Sequence, residues 1–184
     1  MANYVVIARF DNKTNEKLNI LRKHLCEEGY IKVVSEWPPH ITIAAYENAP
    51  IHALLQWTEE FSKKYMAFDV MLASLGVLPP GGERTETAVL YASPAQSKNL
   101  IEFYYAFHEK LDEYCGKLGF WYSKKFGYPA IHSTIGIFEV MAMQKAIEII
   151  FEHKIFGLAK INALEVYTYP MELIKRYDLK TEGK

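Results

Sequence analysis

The stretch "WPPHITIAAY", residues 37–46, and its counterpart "AIHSTIGIF", residues 130–138, are the most informative parts of the sequence. Each contains a histidine followed two residues later by a threonine, among mostly aliphatic neighbours. Side chains alternate between the two faces of a β-strand, so this spacing predicts an apolar face and a second face that carries His and Thr together. For either stretch taken alone, an edge strand with one solvated face is the alternative explanation.

The first stretch is the middle strand of a predicted β-α-β-α-β order. Apolar residues at helical spacing mark the two helices, and short apolar runs mark the strands. The five segments are residues 4–10, 15–25, 39–46, 51–61 and 68–78. A connector with a Gly81-Gly82 pair, which favours a turn, ends this half.

The second half repeats the same order of predicted elements. Its segments are residues 88–94, a helix from about 97 to 118, 130–138, 144–151 and 158–169. A period near 90 residues is too long for a solenoid repeat and indicates two similar lobes. We therefore predict one two-lobed domain over residues 1–184. Its approximate repeats are 1–85 and 86–170, followed by a tail at 171–184 that carries one extra strand.

Composition excludes several classes of function. The 184 residues include 21 Lys and Arg against 22 Asp and Glu, a formal charge of −1, so an extended nucleic acid is not an expected partner. The apolar runs are shorter than the roughly 18 residues of a membrane span, and the start reads as a strand without a signal peptide. We predict a cytoplasmic protein of open oligomeric state, in which Cys26 and Cys115 are reduced packing residues.

The tetrapeptides His40-Ile41-Thr42-Ile43 and His132-Ser133-Thr134-Ile135, one in each half, resemble the two H-x-T-x motifs of the 2H phosphoesterase superfamily. Members of this superfamily include RNA 2′,5′-ligase-like proteins and cyclic nucleotide phosphodiesterases. The resemblance extends from the first strand to about Tyr169. It implies an α+β fold with two antiparallel-rich sheets that face a central cleft, helices on the outside, and the two motif strands side by side on the cleft floor.

Two histidines in one cleft suit the opening of a 2′,3′-cyclic phosphate. One neutral imidazole can accept a proton from the attacking water while a protonated one donates to the leaving ribose oxygen, because His titrates near neutral pH. The hydroxyls of Thr42 and Thr134 can donate hydrogen bonds to the phosphate oxygens where charge accumulates. The resemblance implies His40 as proton donor and His132 as acceptor, although the near symmetry of the repeats leaves that direction open.

We therefore predict a phosphoesterase that hydrolyses, or reversibly forms, 2′,3′-cyclic or 2′,5′-linked phosphodiesters. The expected partner is a small phosphate ester, a nucleotide or an RNA 2′ or 3′ end. No cofactor or metal is expected, because a zinc site built from His40 and His132 would lack a third protein ligand. The alternative is a non-catalytic module that binds nucleotides or RNA ends. The second histidine argues against that alternative, since binding alone does not require a paired acid and base.

Residues around the two motifs are candidates for substrate binding. Aromatic side chains can stack on a nucleobase, basic side chains can balance phosphate charge, and the small residues Ala44 and Gly136 would leave room for a ligand. The candidates are Tyr46, Phe138, Tyr128, Arg84, Lys124 and Lys125. Core packing is the alternative for the aromatic residues, and a solvated loop is the alternative for the basic ones. The other four histidines fall in predicted helices and are expected at the surface or flanks.

Overall fold

The computed structural model describes residues 2–31, 35–81, 86–127 and 130–181. Within these ranges the chain forms seven β-strands, four α-helices and three short 3₁₀ helices. The strands are β1 Asn3–Phe10, β2 His40–Glu47, β3 Phe68–Leu78, β4 Thr87–Pro94, β5 Ser133–Glu139, β6 Gly157–Thr168 and β7 Glu172–Asp178. The α-helices are α1 Asn12–Glu27, α2 Ile51–Lys64, α3 Lys98–Phe107 and α4 Met143–Glu152. The 3₁₀ helices are Asp112–Tyr114, Phe120–Tyr122 and Val140–Ala142.

The predicted duplication of element order is confirmed. The order β1-α1-β2-α2-β3 is followed by β4-α3-β5-α4-β6, and β7 is the extra strand expected in the tail. The strands are hydrogen-bonded in the order β2-β1-β6-β3-β4-β5, with β7 beside β6. All of these ladders are antiparallel, so the α+β prediction is confirmed.

The two expected sheets are halves of one continuous sheet, because β3 pairs directly with β6. The strands β2 and β5 stand at opposite ends of the hydrogen-bonded order, yet they contact each other. The sheet must therefore curve until its two motif strands approach. This curvature brings residues 40–42 and 132–134 to the same region.

Helices cover one face of the sheet and leave the other face for a site. The main hydrophobic core contains the buried apolar residues of all four helices together with one face of the strands. A smaller apolar cluster on the opposite face is formed by Val5, Ile7, Ala45 and Tyr167. Helix α1 presents Leu18, Leu21, Arg22 and Leu25 to the interior. Arg22 follows Leu18 by four residues, so it lies on the buried stripe despite its charge.

The helix predicted over residues 97–118 is shorter than expected. Helix α3 begins after Ser97, whose side chain accepts a hydrogen bond from the Leu100 backbone N–H, and it ends at Phe107. Leu111 then takes a left-handed conformation with φ 65°, which a continuing right-handed helix does not allow. The remainder of the predicted segment includes the 3₁₀ helix Asp112–Tyr114.

His108, expected at the surface or flank, is instead 2% exposed. Its ring packs against Tyr104, with 5.1 Å between ring centroids. Its Nε2 lies 2.9 Å from the carbonyl oxygen of Ile43, and its Nδ1 lies 2.9 Å from Asp112 Oδ1. The end of α3 is thereby tied to the motif strand β2. The sequence period alone could not reveal this contact, since it joins residues 65 positions apart.

Within the described ranges, none of the helices combines the length and apolar character needed to cross a membrane. Cys26 is partly buried and Cys115 is buried, and both are free thiols. The prediction that they are unpaired packing residues is therefore confirmed for these two positions.

Candidate functional site

A β-bulge interrupts the first motif strand immediately after its threonine. In the pairing of β2 with β1, Thr42 lies opposite Ile7 and Ala44 lies opposite Val6, so Ile43 is an extra residue. A bulge of this kind reverses which face the following side chains occupy. His40 and Thr42 therefore face the open side of the sheet, whereas the residues after the bulge do not continue that alternation.

The second motif strand carries the same bulge at the corresponding position. Thr134 lies opposite Tyr91 and Gly136 lies opposite Leu90, so Ile135 is the extra residue. Ile137, on the strand beyond this bulge, is 53% exposed. The two repeats thus share a β-bulge as well as a motif.

These bulges overturn the predicted positions of three residues. Tyr46 and Phe138 are 0% exposed and belong to the main core, not to a nucleobase-stacking surface. Ala44 is also in the core. Gly136, in contrast, lines a cavity of about 500 Å³, and a Cβ added there would lie 2.6 Å from Ile31 Cδ1. Strict alternation along the strand was the wrong assumption.

Tyr46 offers a direct test of this correction. Its buried hydroxyl has no hydrogen-bond partner among the described residues, and burial raises its pKa well above the ordinary value. An unpaired buried hydroxyl costs roughly 1 to 3 kcal/mol. We expect Tyr46→Phe to leave catalysis at this site unchanged and to keep or raise the melting temperature. Loss of activity with an unchanged melting temperature would return Tyr46 to the site.

The two motif histidines have the same local hydrogen bond. His40 Nδ1 lies 2.6 Å from the Pro38 carbonyl oxygen, and His132 Nδ1 lies 2.5 Å from the Ala130 carbonyl oxygen. A carbonyl oxygen only accepts, so Nδ1 carries the proton in each ring. The neutral tautomer therefore leaves the lone pair on Nε2. Each imidazole is oriented by its own backbone two residues upstream and keeps Nε2 for proton transfer.

A cavity of about 360 Å³ on the open face contains one side of the predicted site. His40, Thr42 and Thr134 all line it, so the structure brings these three predicted residues together. His132 is not among the lining residues, and its half-buried ring lies beside Tyr91 with 4.9 Å between ring centroids. The remaining lining residues are Val5, Arg22, Ser35, Trp37, Ala45, Leu118, Tyr122 and Tyr169.

A second cavity of about 500 Å³ adjoins the first. Arg22, Ser35 and Thr134 line both cavities. The wall of the second cavity includes Ile31 and Ile137, so it is more apolar than a phosphate site requires. The two cavities together offer room for more than a phosphate group alone.

Thr42 is held at the cavity wall by a neighbouring tyrosine. Burial raises the pKa of Tyr122, and a hydrogen bond between its hydroxyl and the Thr42 side chain partly opposes this rise. The Tyr122 carbonyl oxygen in turn accepts a hydrogen bond of 2.8 Å from the Tyr104 hydroxyl. This chain of contacts connects Thr42 to helix α3.

His40 is strongly disfavoured as a cation. Burial lowers its pKa to about 4, and the charges of Arg22, Arg9 and His132 lower it further, while the hydrogen bond to Pro38 opposes them. His40 is therefore neutral at pH 7 in the free protein.

Aromatic and ionic groups surround His40. The Trp37 ring lies between His40 and Tyr167, with centroid distances of 5.5 Å and 5.0 Å. Glu165 is 3% exposed and is surrounded by donors. These donors are Arg9 Nη1 at 2.6 Å, Arg176 Nη1 at 3.0 Å and the Tyr167 hydroxyl at 2.7 Å. A buried carboxylate is thus compensated beside the site.

Of the four predicted basic and loop residues, the two that the structure describes are not brought into either cavity. Lys124 and Lys125 are exposed, and neither lines a cavity wall. Arg84 and Tyr128 lie outside the described residues. The roles suggested for these four residues remain predictions.

One cluster of potential metal ligands occurs among the described residues. His108, Asp112 and Cys115 place one ligand atom each within 4.8 Å of one another. These atoms are already bonded to each other, since Cys115 Sγ and His108 Nδ1 both contact Asp112 Oδ1, at 3.6 Å and 2.9 Å. His108 bonds the Ile43 backbone, whereas the two motif histidines are not part of this cluster.

Sequence reasoning missed Arg22, Trp37, Tyr91 and Tyr122. Arg22 could have been noticed in the sequence, because a charged residue at an interior position of an apolar helical stripe needs a buried partner. Trp37 directly precedes the first motif, but its contact with His40 depends on the turn at the two prolines. Tyr91 and Tyr122 come from other parts of the chain and gave no local signal.

The duplicated α+β fold, together with an H-x-T segment on each of two adjoining bulged strands, defines the class of 2H phosphoesterases. The model of the 2'-5' RNA ligase superfamily matches residues 10–170, and the chain belongs to that superfamily. Membership supports a phosphodiesterase- or ligase-type activity. Among curated protein sequences, no relative matches the chain.

Solved structures with the same fold cover almost the whole chain. TT0787 of Thermus thermophilus is similar at 12% identity with a TM-score of 0.61, over 98% of this chain and 99% of that one. Kluyveromyces marxianus Usb1 is similar at 10% identity and a TM-score of 0.54, over 96% and 98%. E. coli LigT complexed with phosphate is similar at 12% identity and a TM-score of 0.51, over 97% and 98%. At these identities the likeness establishes the fold.

Proposed function

We propose that this protein is a metal-independent phosphoesterase that acts on 2′,3′-cyclic or 2′,5′-linked phosphodiesters of nucleotides or RNA ends by two-histidine acid/base catalysis. The observation that carries the proposal is the matched Nδ1 hydrogen bond at His40 and His132. In both rings the same backbone geometry leaves Nε2 available for the reaction. A binding module would not require this duplication.

The hydrolytic step needs one proton acceptor and one proton donor on opposite sides of phosphorus. A neutral imidazole takes a proton from water as the water oxygen bonds to phosphorus. The protonated imidazole gives its proton to the ribose oxygen as the bond from that oxygen to phosphorus breaks. The product is a phosphomonoester, and the two rings have exchanged protonation states. A ribose hydroxyl in place of water gives the ligase direction with the same groups.

The threonine hydroxyls complete the proposed site. Thr42 and Thr134 line one cavity, and each lies two residues beyond its histidine on the open face. Their hydroxyls can donate to the non-bridging oxygens as negative charge builds up on the phosphoryl group. Uridine monophosphate is bound in one of the similar Usb1 structures, and phosphate in the LigT structure. These are ligands of the chemical class that the proposed site would accept.

The decisive experiment is a panel of 2′,3′-cyclic mononucleotides and 2′,5′-linked dinucleotides, incubated with the protein in excess EDTA. Ring opening or diester cleavage should be detected by chromatography, because imidazole proton transfer requires no metal. EDTA should leave the rate unchanged within about twofold, since the general acid and base are both side chains. Activity that disappears with EDTA and returns with a divalent ion would contradict the two-histidine mechanism.

The same panel separates the enzyme from the alternative binding module. If no substrate turns over, equilibrium binding of the corresponding nucleoside monophosphates should be measured next. Binding without turnover over the whole panel, in protein with normal circular dichroism, would favour the non-catalytic module.

A further inference from the structure

Arg22 connects both halves of the candidate site. It lies on helix α1, it is 3% exposed, and its side chain lines both cavities. Its Nη1 donates a 2.9 Å hydrogen bond to the Trp37 carbonyl oxygen, three residues before His40. Its Nη2 donates to the Thr134 carbonyl oxygen in the second motif. One guanidinium thus fastens the segment before the first motif to the strand of the second.

Arg22 differs in its bonding partners from Arg9, the other guanidinium near His40. Arg9 forms a 2.6 Å ion pair with the buried carboxylate of Glu165. The hydrogen-bond acceptors of Arg22 are neutral carbonyl oxygens, and none of the ion pairs between described residues involves it. Burial lowers the pKa of Arg22 to about 10, so it remains protonated at neutral pH. A positive charge without a carboxylate partner among the described residues therefore stands beside His40.

We propose that Arg22 is a positioning residue that places a positive charge beside the His40 imidazole and holds the two motif strands at the spacing that one phosphate group requires. This rests on the proposed function only in its second part, since the charge beside His40 is a property of the free protein. The groups that face His40 come from several elements. They are Arg22 on α1, Arg9 on β1 with its partner Glu165 on β6, His132 before β5, and Trp37 and Pro38 before β2.

The proposal gives the two histidines different roles in hydrolysis. His40 begins the cycle without a proton and accepts one from water, and His132 donates to the ribose oxygen. This direction is opposite to the one that the family resemblance implies.

The first test is an NMR titration of the histidine rings in the wild-type protein, Arg22→Gln, Arg22→Lys and the control Lys23→Gln. In the wild type, His40 should titrate at about 4. Arg22→Gln removes the charge but keeps a donor, and we expect the His40 midpoint to rise by about one unit, as for a nearby like charge removed. Arg22→Lys should shift it by less than about half a unit. Lys23 is 75% exposed on the same helix, so its variant should leave the midpoint unchanged.

A His40 midpoint near the ordinary value of about 6.5 in the wild type overturns the proposal. An unchanged midpoint in folded Arg22→Gln also overturns it. If Arg22→Gln does not fold, the titration midpoint of His40 in the wild-type protein still tests the proposal. The titration needs no substrate, so its result remains valid even if the substrate panel shows no turnover. Failure of the panel therefore refutes the proposed function without deciding the role of Arg22.

The second test assigns the two roles with a leaving group that needs no proton. The substrate is a nucleoside 4-nitrophenyl phosphodiester, whose phenolate departs unaided. His132→Ala should lose at most about tenfold in kcat on this ester, although it loses on the order of 10² or more on a cyclic phosphate. His40→Ala should lose as much on both substrates. If His40→Ala is the variant that keeps activity on the nitrophenyl ester, or if neither variant does, the assignment of His40 as acceptor and His132 as donor is overturned.

Arg22 should also affect turnover through the spacing of the motifs. We expect Arg22→Gln to lower kcat/KM on the best cyclic phosphate by about 10- to 100-fold, since displacement of a reacting group by about 1 Å can cost that much. Arg22→Lys should recover part of the loss, and Lys23→Gln should behave as the wild type. Wild-type kinetics in Arg22→Gln would overturn the spacing role.

Discussion

Replacement of either motif histidine by alanine should lower kcat/KM on a 2′,3′-cyclic nucleotide by on the order of 10² to 10⁴, the usual contribution of a positioned proton-transfer group. The kcat/KM of the double variant should be little lower than that of the less active single variant, because the two rings act as a unit. The rates should be measured in EDTA with the same substrate for all variants. Full activity in the double variant would leave the proposed mechanism without support.

The fold should survive these substitutions. Each change removes one hydrogen bond to a backbone carbonyl, worth about 1 kcal/mol, from a ring on the open face of the sheet. Circular dichroism and the melting temperature therefore serve as the control. His52→Ala is a matched control on helix α2, since His52 lines neither cavity and should keep wild-type kinetics.

The pH dependence of kcat/KM should be bell-shaped, because only the singly protonated pair is competent. Burial lowers the pKa of His40 to about 4, so the acid limb should lie well below the ordinary histidine range. As the pH falls through about 4, His40 takes up a proton, the pair loses its proton acceptor, and activity is lost. The pH profile has the same two limbs whichever histidine is the proton donor. Its shape therefore tests whether the two histidines act together, and it does not show which of them is the donor.

The sequence predicted the order of elements because hydrophobic periodicity is local. It also singled out His40 and His132 as the candidate acid and base, since a pattern repeated at matching positions of two halves is a stronger signal than either copy. His40, Thr42 and Thr134 then follow from strand alternation over the first three residues of each motif. The α+β class follows from the same pattern once the family resemblance is included.

The missed features depend on contacts that no local pattern encodes. The bulges at Ile43 and Ile135 invert the alternation, so Tyr46 and Phe138 enter the core. The bulge at Ile43 also exposes a carbonyl oxygen to His108, which is 65 residues away. Arg22 acquires its role from two carbonyl acceptors that lie 15 and 112 residues further along the chain. Such partners require the curvature of the whole sheet.

Removal of the threonine hydroxyls is the second large effect that we expect. Thr42→Val and Thr134→Val keep the branched shape but delete the donor, and each should lower kcat by up to about 10³, as for the loss of one preformed donor to a developing anion. KM should change much less than kcat, because the hydrogen bond strengthens as charge accumulates in the transition state. Serine at either position retains the hydroxyl and should preserve most of the activity.

Tyr122→Phe is the matched variant for Thr42, because it removes the hydroxyl that bonds the Thr42 side chain and leaves the threonine in place. If orientation of Thr42 matters, Tyr122→Phe should lower kcat by less than Thr42→Val does, and the two changes should not be additive. Thr134→Val should combine with Tyr122→Phe additively, since Tyr122 bonds the other motif. If both valine variants retain kcat within about twofold of the wild type, far from the loss expected of a deleted oxyanion donor, the threonines have no part in stabilising the phosphoryl charge, and the two histidines must act without them.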